Sequence, residues 1–389
     1  MSPARRLHRI DTPGRITRLG LTALTALTAQ TALLAAGLLA PTIGRAAESV
    51  ASASASASAS ASTSTSTSTS TSTTHRLPWR GVSLSSAEWG EKNLPGVYGK
   101  DYVYPSVAST ALYQQRGMNL VRVSFRWERL QPALNQPLDA AELARLRTFV
   151  DGSTARGLHV LLNPHNYAAW HEHRIGTPEV PAAAFADFWR RLALEFKANP
   201  QVLFGLVNEP HSLPTETWAA AAQQALLAIR ATGATQTVTV PGNGYTGAWS
   251  WHESTWYGTP NAQVMDQVRD PLDRMLFEVH QYFDPDGSGG HPDCVSPSIG
   301  AERLQRFTAW LQAHHRRALL AEIGAGANPV CEQAVRSALA HLHAHPEAWN
   351  GWLWWAGGPL WGDYMMSLEP RPDGRDAPQW AWLQPWLEP

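Results

Sequence analysis

Along the chain, short apolar runs alternate with longer amphipathic stretches. Runs of strand length fall at 81–84, 120–125, 159–163, 202–207, 237–240, 276–280, 318–322 and 351–355. Several are almost continuously apolar, as parallel strands buried on both faces should be. Between them, stretches with helical spacing occupy 139–156, 182–198, 214–231, 301–315 and 332–345. Eight strands joined by helical crossovers within one domain predict an α/β fold, a (β/α)8 (TIM) barrel. In such a barrel the chemistry sits at the C-terminal ends of the strands, so those positions are the first to inspect.

The pattern breaks down before the first strand. Arg5, Arg6, Arg9, Arg15 and Arg18 precede residues 19–44, which carry no charge, and small residues follow at 44–47. Residues 1–47 therefore read as an export signal. An uncleaved anchor through 19–44 is the alternative, although Gln30 and five threonines dilute the stretch. Residues 48–74 are dominated by Ala-Ser and then Thr-Ser pairs. Such a segment buries too little apolar surface to offset the entropy of ordering, so it is expected to be a disordered linker. The barrel is assigned to 75–389.

Composition narrows the class. The 389 residues carry a net charge of −1, and residues 75–389 hold 25 basic against 30 acidic side chains. This balance offers no basic stripe for nucleic acid. Two cysteines are too few for a disulfide framework and lack zinc-site spacing. Eighteen tryptophans, as many as tyrosine and phenylalanine combined, all lie at or beyond Trp79.

The strand ends carry polar residues. Strand two offers Arg122, strand three leads into His165-Asn166-Tyr167, and strand four into Asn208-Glu209-Pro210. Strand five is followed by Asn243, strand six reaches His280-Gln281-Tyr282, strand seven Glu322, and strand eight Trp354-Trp355. Ionisable groups ending apolar strands are costly unless they do something. Two glutamates accompanied by Arg, His, Asn and Tyr suit glycoside hydrolysis, in which one carboxyl donates a proton and the other stays ionised.

These residues resemble glycoside hydrolase family 5, the family of many endo-β-1,4-glucanases. The resemblance spans 79–370 and rests on Val202-Leu-Phe-Gly-Leu-Val-Asn-Glu-Pro210, Val121-Arg-Val-Ser-Phe125, His165-Asn-Tyr167, His280-Gln-Tyr282, Leu320-Ala-Glu-Ile-Gly324 and Trp354-Trp-Ala-Gly357. It implies Glu209 as acid/base and Glu322 as nucleophile, with retention of configuration and carboxyl groups roughly 5–5.5 Å apart. Arg122 and Tyr282 would hold Glu322, Asn208 would meet the sugar 2-hydroxyl, and His165 and His280 would border the site. The resemblance also implies that Trp355, which corresponds to the family's Trp before the small-residue run, stacks on sugar rather than Trp354; side chains alternate along a strand, so the two cannot both face the cleft.

Tryptophan offers a large flat surface to the apolar face of a pyranose. Trp170, Trp249, Trp251, Trp256 and Trp361 fall in or near loops above the strand ends and are candidates for substrate contact, with Asn166 and Tyr167. Trp189, Trp218 and Trp310 lie within helices and read as packing. Cys294 and Cys331 follow strands six and seven, which points to a disulfide between adjacent loops against the alternative of two free thiols. Asp284-Pro-Asp-Gly-Ser-Gly289 has Val295 where an EF-hand needs Glu, and His171-Glu-His173 stands in the wrong loop for an amidohydrolase metal site. No metal or cofactor is expected. His314, His315, His341, His343 and His345 sit at helix C-termini, where they suit the macrodipole. Glu88 is either a distal sugar contact or surface.

The sequence thus predicts a secreted endo-β-1,4-glucanase acting on β-glucan polysaccharide or oligosaccharide, monomeric and without an obligate protein partner. Within the same chemistry the alternatives are a mannanase or a mixed-linkage glucanase. A non-catalytic carbohydrate-binding barrel is the rival from another class, opposed by the presence of both glutamates with Arg122 and Tyr282.

Overall fold

The computed structural model describes residues 76–253 and 258–388. The segments assigned to signal, anchor and linker, and Trp256, lie outside the described residues. Eight parallel strands close into a barrel: β1 (Trp79–Ala87), β2 (Leu120–Phe125), β3 (His159–Pro164), β4 (Val202–Gly205), β5 (Val238–Pro241), β6 (Met275–Tyr282), β7 (Ala318–Gly324) and β8 (Trp349–Gly357). Each strand pairs with its neighbours in sequence, and β8 pairs with β1. The main outer helices are α3 (Ala140–Ala155), α4 (Ala182–Phe196), α5 (Thr215–Ala231), α7 (Ile299–Ala313) and α8 (Pro329–Ala344). The described residues also form short helices α1 (Thr110–Gln115), α2 (Trp127–Leu130) and α6 (Asn261–Val264) and a C-terminal helix α9 (Gln379–Leu387). Among the described residues no helix is long and apolar enough to cross a membrane.

Strand alternation sorts the core into two parts. Leu120, Leu161, Leu203, Leu276, Leu319, Ala321 and Leu353 form a separate buried cluster, the floor of the barrel interior. The intervening positions, such as Val121, Val123, Val160 and Leu162, join the larger cluster under the helices. Trp189 and Trp218 are packing residues, as expected. Their indole N–H groups donate to the Leu206 and Pro241 carbonyls (2.9 and 2.7 Å), pinning α4 and α5 to the ends of β4 and β5. His341 departs from the dipole reading. It lies against Thr308 of α7, and burial, with His345 nearby, pulls it down to about 4, so it is neutral.

Cys294, in the loop after β6, is bonded to Cys331 in the first turn of α8. Closing a loop across 37 residues constrains the unfolded chain by about 4 kcal/mol in the chain-entropy account. The Cys294→Ser/Cys331→Ser double variant is expected to melt about 6 °C below the wild type in calorimetry; an unchanged Tm would show that the bridge constrains little.

Candidate active site

The site continues the inward phase of the strands above the floor. Two residues beyond Leu120 comes Arg122, beyond Leu161 comes Asn163, beyond Leu276 come Glu278 and His280, and beyond Leu353 comes Trp355. Strand β7 needs a different device. Its register against β6 pairs Val279 with Leu320 and then His280 with Glu322, so one extra residue is inserted at Ala321. Strict alternation would send Glu322 to the helix side; the bulge turns it inward. Glu209 lies past the end of β4 at φ 41°, in the left-handed region, and the Asn208 N–H donates to the Pro164 carbonyl (2.8 Å), holding this turn against β3.

The expected residues converge. Arg122, fully buried, donates to Glu322 Oε1 (2.7 Å), Ser83 Oγ (3.0 Å), Asn208 Oδ1 (2.5 Å) and Glu278 Oε1 (3.2 Å). The Tyr282 hydroxyl donates to Glu322 Oε2 (2.6 Å). His280 Nδ1 lies 2.7 Å from Glu209 Oε1 and 3.4 Å from Glu322 Oε2, bridging the two carboxyls. One oxygen of each carboxyl and a ring nitrogen of His280 lie within 4.8 Å of one another. Asn163 donates to His165 Nδ1 (3.1 Å), which leaves the Nε2–H for the Tyr167 hydroxyl (3.2 Å).

Electrostatics separate these groups. Burial pushes the Glu209 carboxyl up; His280 opposes the shift and the Glu322 charge adds to it. Burial alone would pull His280 down, but Glu322, Glu209 and Glu278 outweigh it and raise it to about 9. His165 lacks such partners, and burial beside Arg122, Arg126 and His280 holds it well below its usual range. The Glu209, His280, Glu322 set has the composition of a metal site, yet a protonated His280 offers N–H groups rather than a lone pair.

Aromatic rings line one side. Trp355 is half-buried, stacks on His165 (centroids 5.8 Å, 23°) and meets Trp361 edge-on (5.6 Å), which itself stacks on Tyr364 (4.4 Å) and abuts Trp89 (5.3 Å). Trp354 points the other way, fully buried, with its indole N–H on the Met366 carbonyl (2.7 Å). Elsewhere Tyr245 stacks on His211 (4.4 Å), which in turn meets Tyr167 (5.7 Å). Trp249 is partly exposed, with Arg303 over its ring at 5.8 Å.

Other expectations change. Trp251 is completely buried among Phe277, Phe307 and Trp310, so it packs α7 onto β6 and has no face for a sugar. Its loop folds back into the helical layer, which spacing from strand five did not reveal. Asn166 is occupied as a loop brace: Oδ1 accepts from the Trp127 N–H (2.8 Å) and Nδ2 donates to Glu128 (2.6 Å). Trp170 is half-buried, its indole N–H on the Gln131 carbonyl (3.3 Å). Glu88 is buried rather than surface, accepting from Ser85 and from the Ser86 N–H (2.8 Å). His171-Glu172-His173 is the exposed turn of a small hairpin. Glu278 was missed, although a lone acidic residue between Phe277 and Val279 in a buried strand was a visible signal.

A close carboxyl pair, bridged by His280 and bordered by aromatic faces at the C-terminal mouth of a (β/α)8 barrel, defines the class: a glycoside hydrolase. Residues 68–358 match the family described as Cellulase (glycosyl hydrolase family 5), and the chain belongs to that family. It is 41% identical to the probable endo-beta-1,4-glucanase B of Aspergillus oryzae over 298 residues, 76% of this chain and 86% of that protein. The endo-beta-1,4-glucanase Xac0029 from Xanthomonas axonopodis pv. citri superposes with a TM-score of 0.78 at 42% identity, covering 80% of this chain and 98% of that one. XacCel5A in complex with cellopentaose gives a TM-score of 0.78 at 44% identity, covering 80% and 100%.

Proposed function

We propose that this protein is a retaining endo-β-1,4-glucanase that cleaves internal bonds of cellulose-like chains, with Glu322 as nucleophile and Glu209 as acid/base. The observation that carries the reading is the His280-bridged carboxyl pair, whose closest oxygens lie within 4.8 Å. So close an approach suits direct attack, as in retaining enzymes, better than the roughly 6.5–9.5 Å separation of an inverting pair. In the first step Glu322 attacks the anomeric carbon, the glycosidic C–O bond breaks, and Glu209 gives its proton to the departing oxygen. In the second, Glu209, now ionised, takes a proton from water. The water oxygen displaces Glu322 from the anomeric carbon, regenerating both carboxyls with configuration retained.

The surrounding groups support both steps. Arg122 and the Tyr282 hydroxyl orient Glu322 edge by edge. Asn208 is fixed through its Oδ1 by Arg122, so its Nδ2 donates to the sugar 2-hydroxyl, a contact that strengthens as the oxocarbenium-like transition state forms. Trp355, with Trp361 and Tyr364, supplies the stacking face. The substrate assignment draws on relatives that are endo-β-1,4-glucanases and on the cellopentaose complex. A polymeric substrate and the Cys294–Cys331 bridge suit a secreted enzyme.

The test is a panel of soluble cellulose derivative, mannan, xylan and mixed-linkage glucan. The cellulose derivative is expected to be hydrolysed fastest, with viscosity falling well ahead of reducing-end release. Preference for mannan, or reducing ends released without loss of viscosity, would overturn the substrate or the endo assignment respectively.

A further inference from the structure

Glu278 touches neither the aromatic wall nor any position open to a sugar; it is 1% exposed on β6, beneath the catalytic pair. Its Oε1 accepts from Arg122 (3.2 Å) and lies 3.5 Å from His280 Nε2, and its Oε2 accepts from the Thr239 hydroxyl. Arg122 and His280 are, with the Tyr282 hydroxyl, the groups that hold Glu322 and Glu209. We propose that Glu278 is a positioning residue: a buried anion that keeps His280 protonated between the two catalytic carboxyls and anchors Arg122 against Glu322. The inference rests on the roles given above to Glu209 and Glu322.

Charge count explains why an extra carboxylate is needed. With Glu209 protonated, Arg122 and His280 supply two positive charges, and Glu322 alone would leave the buried cluster one positive in excess. Low-dielectric surroundings make an uncompensated charge costly, and His280 is the group able to shed one. Glu278 closes the balance. It remains ionised because Arg122, His280 and Thr239 together outweigh the burial that would raise it. The groups facing His280 are Glu209 from the β4 end, Glu322 from β7 and Glu278 from its own strand, with His165 from the loop after β3 and Arg122 from β2 the nearby groups of cationic type. Arg122 shares two of those carboxylates with it.

The consequence concerns both steps. A protonated His280 keeps its Nδ1–H on Glu209 Oε1 (2.7 Å) with Glu322 Oε2 at 3.4 Å, so its charge faces the Glu322 carboxylate before attack and its hydrogen bond strengthens once Glu209 has given up its proton. Replacing Glu278 by glutamine removes an anion from this coupled set, so its proton affinity falls.

The experiment compares wild type with Glu278→Gln and Glu278→Asp. Imidazole NMR, with the His280 signals assigned by their loss in His280→Asn, is expected to show a cation at pH 7.5 in the wild type. In Glu278→Gln that ring is expected to titrate at least about one pH unit lower. The alkaline limb of kcat/KM should move to lower pH, and kcat should fall on the order of 10²-fold with KM little changed. Glu278→Asp, which keeps the charge, should restore part of both. A neutral His280 in the wild type would overturn the proposal on its own, whether or not the variants fold. So would a Glu278→Gln protein that loses activity or Tm while its His280 titration and alkaline limb stay within about half a pH unit of wild type. The NMR readout needs no turnover, so its failure is distinct from failure of the glucanase reading, which Glu209→Gln and Glu322→Gln test.

Discussion

Glu322→Gln is expected to hydrolyse soluble cellulose derivatives at least about 10³-fold more slowly than the wild type, equivalent to about 4 kcal/mol of lost transition-state stabilisation. The substitution is nearly isosteric. Arg122 can still donate to an amide oxygen in the Oε1 place, and the Tyr282 hydroxyl can turn to accept from the amide N–H in the Oε2 place, so the local architecture is retained while the nucleophilic charge is lost. Binding should survive, because the stacking face of Trp355 and the donors around the sugar are unchanged. Calorimetry should accordingly show a folded protein with KM for oligosaccharides close to wild type. A sharper check uses Glu322→Ala, which opens a space next to Arg122. A small anion such as azide can enter that space and attack an activated glycoside from the vacated side, giving a glycosyl azide of inverted configuration. Activity of Glu322→Gln near the wild-type rate on the preferred polymer would remove Glu322 from the mechanism.

The same residue shows where sequence reading succeeds and where it stops. Apolar runs that carry or lead into Arg122, Glu209, His280 and Glu322 were enough to place these groups at one mouth of a barrel, because parallel strands all present their C-terminal ends there. That Glu322 points inward came from the family resemblance and was not legible from strand alternation. Leu319 and Ala321 both belong to the barrel floor, and only the inserted residue against β6 brings the next side chain inward. Bulges depend on pairing between strands, and no local pattern announces one. Trp355 over Trp354 was readable only with the family resemblance, since alternation separates the pair without saying which member faces the cleft.

Loop residues were less legible, for a related reason. Trp251 and Trp249 are two positions apart in the same loop, yet one lies fully buried under α7 and the other is partly exposed. Asn166 sits in a motif beside His165, but the backbone of α2 takes one of its polar atoms and Glu128 the other. In each case a tertiary partner, distant in sequence, decides between substrate and scaffold. Glu278 was overlooked because a buried strand glutamate was sought only at strand ends; its meaning comes from Arg122, 156 residues away in sequence.

Glu209→Gln is expected to show an equally large loss on polymer, about 10³-fold or more, with a dependence on leaving group that Glu322→Gln lacks. The glycosidic oxygen of cellulose is a poor leaving group and must be protonated as the bond breaks. Burial and the Glu322 charge hold the Glu209 carboxyl above the ordinary glutamate range, which keeps that proton available as pH rises. The sign follows: glycosylation is supported below the folded-state pKa and lost as pH climbs through it. An aryl glycoside with an acidic phenol needs no such proton, so its first step should be little impaired in Glu209→Gln. The second step still lacks a base to activate water. The variant should therefore release a burst of phenol and then turn over slowly, with the glycosyl-enzyme on Glu322 accumulating to a mass detectable on the intact protein. The alkaline limb that the wild type shows on polymer should be absent from the burst rate. Equal losses on polymer and on the activated substrate, with no burst, would mean that Glu209 shapes the site without handling the proton, and that another group must be the acid.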